Sequence, residues 1–356
     1  MSKQQKSKNL KSDQQANRQL NSAIAEWDNF SLAFLKGVSF EIRKNKNFDL
    51  INQKSKKVYL QSISISKAKE KLPLIQNQIN YKLKSIEEYL LANHFLKVID
   101  INMKNISRLV VGLGSEHVFE TSLTLDYIWG IPYIPSSAVK GGCKAAAFWE
   151  IVSLILNNYD KKESQKEISQ DEINEVAKYV FQNLYNEDIY FENYKLLDLS
   201  DINKRILLYK LIFGTKNFEG LFTFLDAYPQ NLSELTSIFE LDIINSHYPD
   251  YYSNPINNPA GDWYNPQPVN FLAVKPGIEF KFIVFYDKHR AEKLVEFFET
   301  KSTCETKSIC FELIQLLEKD NFKIFKNIIK TALNFYGIGA KTRLVYGLFE
   351  EVRRDN

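Results

Sequence analysis

Gly337-Ile338-Gly339-Ala340-Lys341-Thr342-Arg343-Leu344-Val345-Tyr346-Gly347 is the stretch whose reading decides the fold. Two glycines one residue apart let the backbone take positive φ and turn several N–H groups toward one concavity, with Lys341 and Arg343 adding positive charge beside it. That describes a phosphate cradle. The nucleotide-triphosphate P-loop needs Gly before its Lys and a helix after it. Here Ala340 precedes Lys341, and Leu344 to Val352 has the β-branched and aromatic content of a closing strand. Taken alone, the glycines also fit a hairpin-like turn whose Lys and Arg keep it soluble.

A second stretch favours the cradle. Pro132-Tyr133-Ile134-Pro135-Ser136-Ser137-Ala138-Val139-Lys140-Gly141-Gly142-Cys143-Lys144 begins with a breaker, supplies a Ser N-cap, and continues through three alanines to Phe148-Trp149 as a helix. Lys140 and Lys144 are four apart and share one face. Cations in the first turns oppose the helix dipole at roughly 0.3 to 1 kcal/mol each, a cost that an anion at the N-terminus would reverse. Gly141-Gly142 costs about 1 kcal/mol more per glycine than alanine would, which predicts close approach of another group to the backbone. Tight helix-to-sheet contact would use the same glycines.

These two motifs together resemble the signature pair of the RAMP superfamily, the RNA-binding subunits of CRISPR effector complexes. Arg108-Leu109-Val110-Val111-Gly112-Leu113-Gly114-Ser115-Glu116-His117, Ser246-His247-Tyr248-Pro249 and the Gly261-Asp262-Trp263-Tyr264-Asn265-Pro266 stretch are similar to the sixth-subunit family of the type III-B (Cmr) complex. The resemblance runs from about residue 105 to residue 352. The family's Gly between Pro and Ser-Ser is missing here, since Ser136 follows Pro135 directly. The resemblance implies an α+β, ferredoxin-like (RRM-related) domain with helical insertions and a helical N-terminal extension. It also implies CRISPR RNA and target RNA as partners, neighbouring Cmr/RAMP subunits in a hetero-oligomer serving antiviral defence, and a place holding the 3′ region of the guide. The RNA-binding residues it implies are Ser136, Ser137, Lys140, Lys144, Gly337, Gly339, Lys341 and Arg343, with no catalytic residue and no cofactor.

Composition bounds the rest. A chain of 356 residues with 44% hydrophobic content can bury one large core or two small ones. No window is long and apolar enough to span a bilayer, and the start lacks the apolar stretch of a secretory signal, which places the protein in the cytoplasm. Cys143, Cys304 and Cys310 have neither disulfide parity nor metal-ligand spacing. A net charge of +3 is too mild to argue for nucleic acid by itself, so the position of the basic residues must carry that argument.

In chain order, residues 1–22 are Lys, Gln, Asn and Ser with little apolar content and read as a disordered basic tail. Residues 23–100 read as a helical extension, with helical spacing over 23–40 and again over 85–100, where His94 falls among apolar positions as a buried structural histidine. Residues 101–356 read as the ferredoxin-like RNA-binding domain that the resemblance implies. In it, residues 106–111 read as a buried strand and 121–128 as a strand or extended arm. Helices follow at 137–157, 172–185 and 201–213, and a strand runs over 220–229 with Asp226 in a structural role. The proline- and tyrosine-rich loop at 246–270 suits base stacking or a subunit contact. Strands then occupy 269–287 and helices 291–299 and 308–334.

Two other functions fit parts of the sequence. A metal-independent endoribonuclease processing CRISPR RNA would use His117, which lies near Glu116 and Glu120 in a loop, or His247 as its acid or base. An RNA-free protein adaptor would use the glycine loops only for protein contact. His247 with Asp262 lacks the spacing of a metal site.

Overall fold

The computed structural model describes residues 29–32, 34, 56–57, 59–61, 71–117, 120–160, 169–186, 201–232, 237–246, 248, 251, 253–261, 263, 265, 267–301 and 304–352. The 1–22 tail, most of 23–70 and His247 lie outside them.

Helix α1 (Leu72–Ala92) takes Pro73 in its first turn, where the missing N–H has no intrahelical partner to lose. It buries Leu72, Gln76, Ile79, Leu83 and Leu90 at helical spacing. Asn93 closes it by donating its backbone N–H to Tyr89 and Leu90 carbonyls, and His94 at φ 66° turns the chain. The expected helix over 85–100 therefore stops at Ala92. Phe95–Asn105 forms β1 instead, because a run rich in Val and Ile gains more from pairing on both sides than from continuing the helix. His94 is exposed in this turn, not buried. The strand crosses residue 100, where the sequence divides the extension from the domain.

Strand β1 lies inside an antiparallel sheet. On one side it pairs with β6 (Glu279–Asp287) from Phe95↔Asp287 to Lys104↔Glu279, with a bulge between Lys97 and Ile99. On the other it pairs with β7 (Phe349–Glu351) from Met103↔Glu351 to Asn105↔Phe349. Beyond β6 lie β2 (Phe222–Phe224) and β3 (Tyr228–Pro229), giving the order β7-β1-β6-β2 with β3 also on β6. Phe282, Ile283, Val284 and Phe285 of β6 are consecutive and all buried, so the sheet is covered on both faces there. Each such side chain contributes on the order of 1.5 to 3 kcal/mol by leaving water.

Helix α2 (Ser136–Asp160) follows β1 and buries Val139, Cys143, Ala146, Ala147, Ile151 and Ile155. Helices α3 (Gln170–Phe181) and α4 (Asp201–Phe213) pack on it, and a π-helical turn, Gln182–Asn186, extends α3. Ser169 caps α3 in a reciprocal capping box with Glu172. After β3, β4 (Phe239–Ser246) and β5 (Gln267–Val274) make a separate hairpin in register from Phe239↔Val274 to Ser246↔Gln267. Helix α5 (Lys288–Lys301) and the long α6 (Cys304–Thr331) complete the chain before β7. Phe325 of α6 sits 4.4 Å from the Phe222 ring, which fixes α6 against the sheet.

Two expected strands differ. Residues 106–111 make only a bridge from Leu109 to Val274, because their other backbone groups serve separate partners: Leu348 beside Ile106, Gly347 beside Arg108, Ala340 beside Val110 and Thr124 beside Val111. The closing strand begins at Phe349 and not near Leu344, since Thr342–Leu344 is a 3₁₀ turn and Val345 (φ 67°) and Gly347 (φ 70°) are left-handed.

Candidate nucleic-acid interface

The glycine loop is delivered by α6 through a π-helical turn, Ala332–Tyr336, and Gly337 at φ 78° ends it. Gly339 has φ 99°, and a Cβ there would lie 2.3 Å from the Val110 carbonyl oxygen. A Cβ on Gly347 would lie 1.9 Å from the Ile338 oxygen. The glycines thus let the loop close on itself and on residues 108–111. The N–H groups of Gly337, Ile338, Ala340, Leu344, Val345, Tyr346 and Gly347 all donate within the protein. The concavity expected from the sequence therefore spends most of its amides on its own shape.

The cations of the loop differ in setting. Arg343 is exposed. Lys341, itself left-handed at φ 60°, holds its ammonium 4.7 Å from the Phe271 ring centroid and 5.1 Å from that of Tyr346. Burial holds Lys341 below the usual lysine range, against the pull of Asp242. Asp242 accepts from the Tyr346 hydroxyl and lies 3.3 Å from an Arg108 Nη1, while Arg108 also bonds Glu240. Burial and Asp242 push the Tyr346 phenol up to about 12. This network ties the glycine loop to the β4–β5 hairpin.

At the start of α2, the Ser136 N–H donates to Asp226 Oδ1 at 2.7 Å. Asp226, read from sequence as structural, is thus the anion at that helix N-terminus. Ser137 is exposed. Burial lowers the basicity of Lys140, with Glu219 opposing. Burial, Lys140 and Lys210 lower that of Lys144, whose ammonium sits 4.4 Å from the Tyr185 ring centroid. The two glycines between them have separate roles. A Cβ on Gly141 would meet nothing within 4 Å, whereas one on Gly142 would lie 3.1 Å from Ile338 Cγ1. The group that approaches the helix is the glycine loop itself, so the two motifs are brought together.

His117 stacks on Phe34 with centroids 4.3 Å apart. Burial lowers its pKa, opposed by a hydrogen bond with the Phe34 backbone. Beside it Glu120 pairs with the buried Lys56 at 2.8 Å. The loop that carries Glu116, His117 and Glu120 thus meets Phe34 and Lys56 of the described N-terminal residues, and Phe30 stacks on Phe239 with centroids 4.2 Å apart. Among the described residues, no group of three or more His, Cys, Asp or Glu is placed to hold a metal, and no helix is long and apolar enough to cross a membrane. Sequence reasoning missed Asp242 and Tyr185 as partners of the lysines. Only the acidic Glu240 and Asp242 alternating along β4 hinted at a strand face carrying charge.

A family model described as the RAMP superfamily matches residues 102–350, from within β1 to within β7, and the chain belongs to that superfamily. Over 289 residues it is 31% identical to the CRISPR system Cmr subunit Cmr6 of Pyrococcus furiosus, covering 79% of this chain and 76% of that protein. Among solved structures, the crystal structure of Cmr6 from Pyrococcus furiosus is 30% identical, with 73% of this chain and 99% of that chain covered and a TM-score of 0.40. The cryo-EM structure of the Type III-B Cmr-beta bound to cognate target RNA has a chain 20% identical, with 78% and 65% covered and a TM-score of 0.39.

Proposed function

We propose that this chain is a non-catalytic RNA-holding subunit of a type III-B CRISPR (Cmr) effector complex, acting in the cytoplasm. It grips the guide RNA backbone toward its 3′ region and contacts neighbouring Cmr subunits and target RNA. The observation that carries this reading is the contact between Gly142 and Ile338, which brings the first turns of α2 against the loop bearing Lys341 and Arg343, while Lys140 and Lys144, each two residues from Gly142, lie on the other side of the helix. Kinship with a Cmr subunit over 79% of the chain supports the assembly. The strand order β7-β1-β6-β2, antiparallel throughout, with α2 after the first strand and α6 before the last, supports a ferredoxin-like core into which α3, α4 and the β4–β5 hairpin are inserted.

Lysine, arginine and hydroxyl contacts to phosphate and ribose carry no sequence information, which suits a subunit that must accept any spacer. The seating of His117 against Phe34 supports a structural role for that histidine. The test is the assembled complex with its guide. Lys140→Ala with Arg343→Ala should weaken guide retention equally for unrelated spacers and lower the slope of log affinity against log salt by about 1 to 2. An unchanged slope would refute the reading. Site-specific cleavage of repeat RNA in EDTA, abolished in His117→Ala, would establish the nuclease instead.

A further inference from the structure

Beyond the two glycine motifs, aromatic side chains gather on the exposed side of α2 and α3. The Phe181 and Tyr185 rings are stacked with centroids 5.0 Å apart and 18° between planes. The π-helical turn that follows Phe181 carries Tyr185, and such turns recur at functional sites. Phe148 meets Tyr185 edge-on at 6.3 Å. Phe181 remains 50% exposed. On α2, Lys140, Lys144 and Phe148 follow one another at four-residue intervals and so share one face, with Lys144 over the Tyr185 ring.

We propose that Phe181 and Tyr185 form a platform on which an unpaired base of the bound RNA stacks, while Lys140 and Lys144 meet the adjoining phosphates. The proposal rests on the RNA-holding reading above and extends it to a nucleobase site. Charge decides the occupant. A protein surface covering this face would bury two ammonium groups at a large desolvation cost unless it supplied matched carboxylates, whereas a polynucleotide brings a phosphate for each. Lys140 and Lys210 already repel Lys144, and an anion relieves that repulsion. The carboxylate that acts on Lys140, Glu219, also lies 3.3 Å from Arg290 Nη1 and so is shared with that guanidinium. Stacking tolerates every base, in keeping with recognition that ignores sequence.

The experiment uses the full complex assembled on guide RNAs that carry 2-aminopurine at successive positions. In the unaltered complex one position should be quenched by stacking. Phe181→Ala should restore its fluorescence and weaken guide retention about tenfold. Phe181→Trp should keep both the quenching and the affinity, separating lost stacking from lost folding. If Phe181→Ala changes no position while Lys140→Ala with Lys144→Ala still weakens retention, the platform is wrong and the RNA-holding reading stands. Loss of the subunit from the complex in Phe181→Ala, with guide affinity unchanged, would make this face a protein contact and overturn the proposal. If neither the lysine pair nor Phe181 affects RNA, both ideas fall together.

Discussion

Ile338 of the glycine loop fills the space that a side chain at Gly142 of α2 would occupy: a Cβ there would lie 3.1 Å from Ile338 Cγ1. Two segments far apart in sequence are thereby held in contact by the absence of one methyl group. Gly141→Ala, which meets open space, should stabilise the protein by roughly 0.5 to 1 kcal/mol through helix propensity. Gly142→Val should destabilise it by about 1 to 3 kcal/mol through overpacking. Urea unfolding of both variants checks the pair, and equal effects would remove the distinction between the glycines.

Gly347 should be the least replaceable residue of the loop. Its φ of 70° suits glycine, and a Cβ would lie 1.9 Å from the Ile338 oxygen, a backbone atom that cannot rotate away. Gly347→Ala should cost at least the roughly 1 to 3 kcal/mol of a strained left-handed residue. Chemical denaturation measures the loss.

Asp226 caps α2 from 90 positions away in the chain through the Ser136 N–H. Asp226→Ala should cost about 0.5 to 2 kcal/mol, the usual value of a lost cap, and Asp226→Ser should recover little because the shorter side chain falls short of that N–H. Amide exchange at the start of α2 should speed up in step.

His117 makes stability depend on pH with a definite sign. Its pKa is lowered in the folded protein, chiefly by burial, so the unfolded chain binds a proton first as pH falls. The contribution is complete above the ordinary histidine pKa of about 6.5 and is lost as pH drops below it, with a slope no steeper than about 1.4 kcal/mol per pH unit. His117→Phe keeps the stack on Phe34 and should flatten the profile between about pH 7 and 5. Denaturation midpoints across that range provide the measurement.

The backbone chemistry of the site was legible because glycine announces it: Gly337, Gly339 and Gly347 all take positive φ. Lys341 and Val345 do the same with no such announcement, held by the hydrogen bonds that close the loop around them. The helices α2 and α4 were legible from apolar spacing and flanking breakers. The central strand β1 was not, because Leu90, His94 and Leu96 continue the helical spacing of α1 and only the Asn93-His94 turn interrupts it. Hairpin strand β4 escaped notice since Glu240 and Asp242 interrupt its apolar run, and their partner Arg108 lies over a hundred residues earlier. Partnerships of that range leave no periodic trace.

Arg108, Leu109, Val110 and Val111 each give a backbone group to a different place: the end of the glycine loop, the hairpin, the tip of the glycine loop and the arm that precedes α2. Neighbours in a chain cannot move apart. A displacement at any one of these docking points is therefore transmitted to the others through a few ångströms of peptide, and whatever seizes the loop also takes hold of the hairpin and the arm.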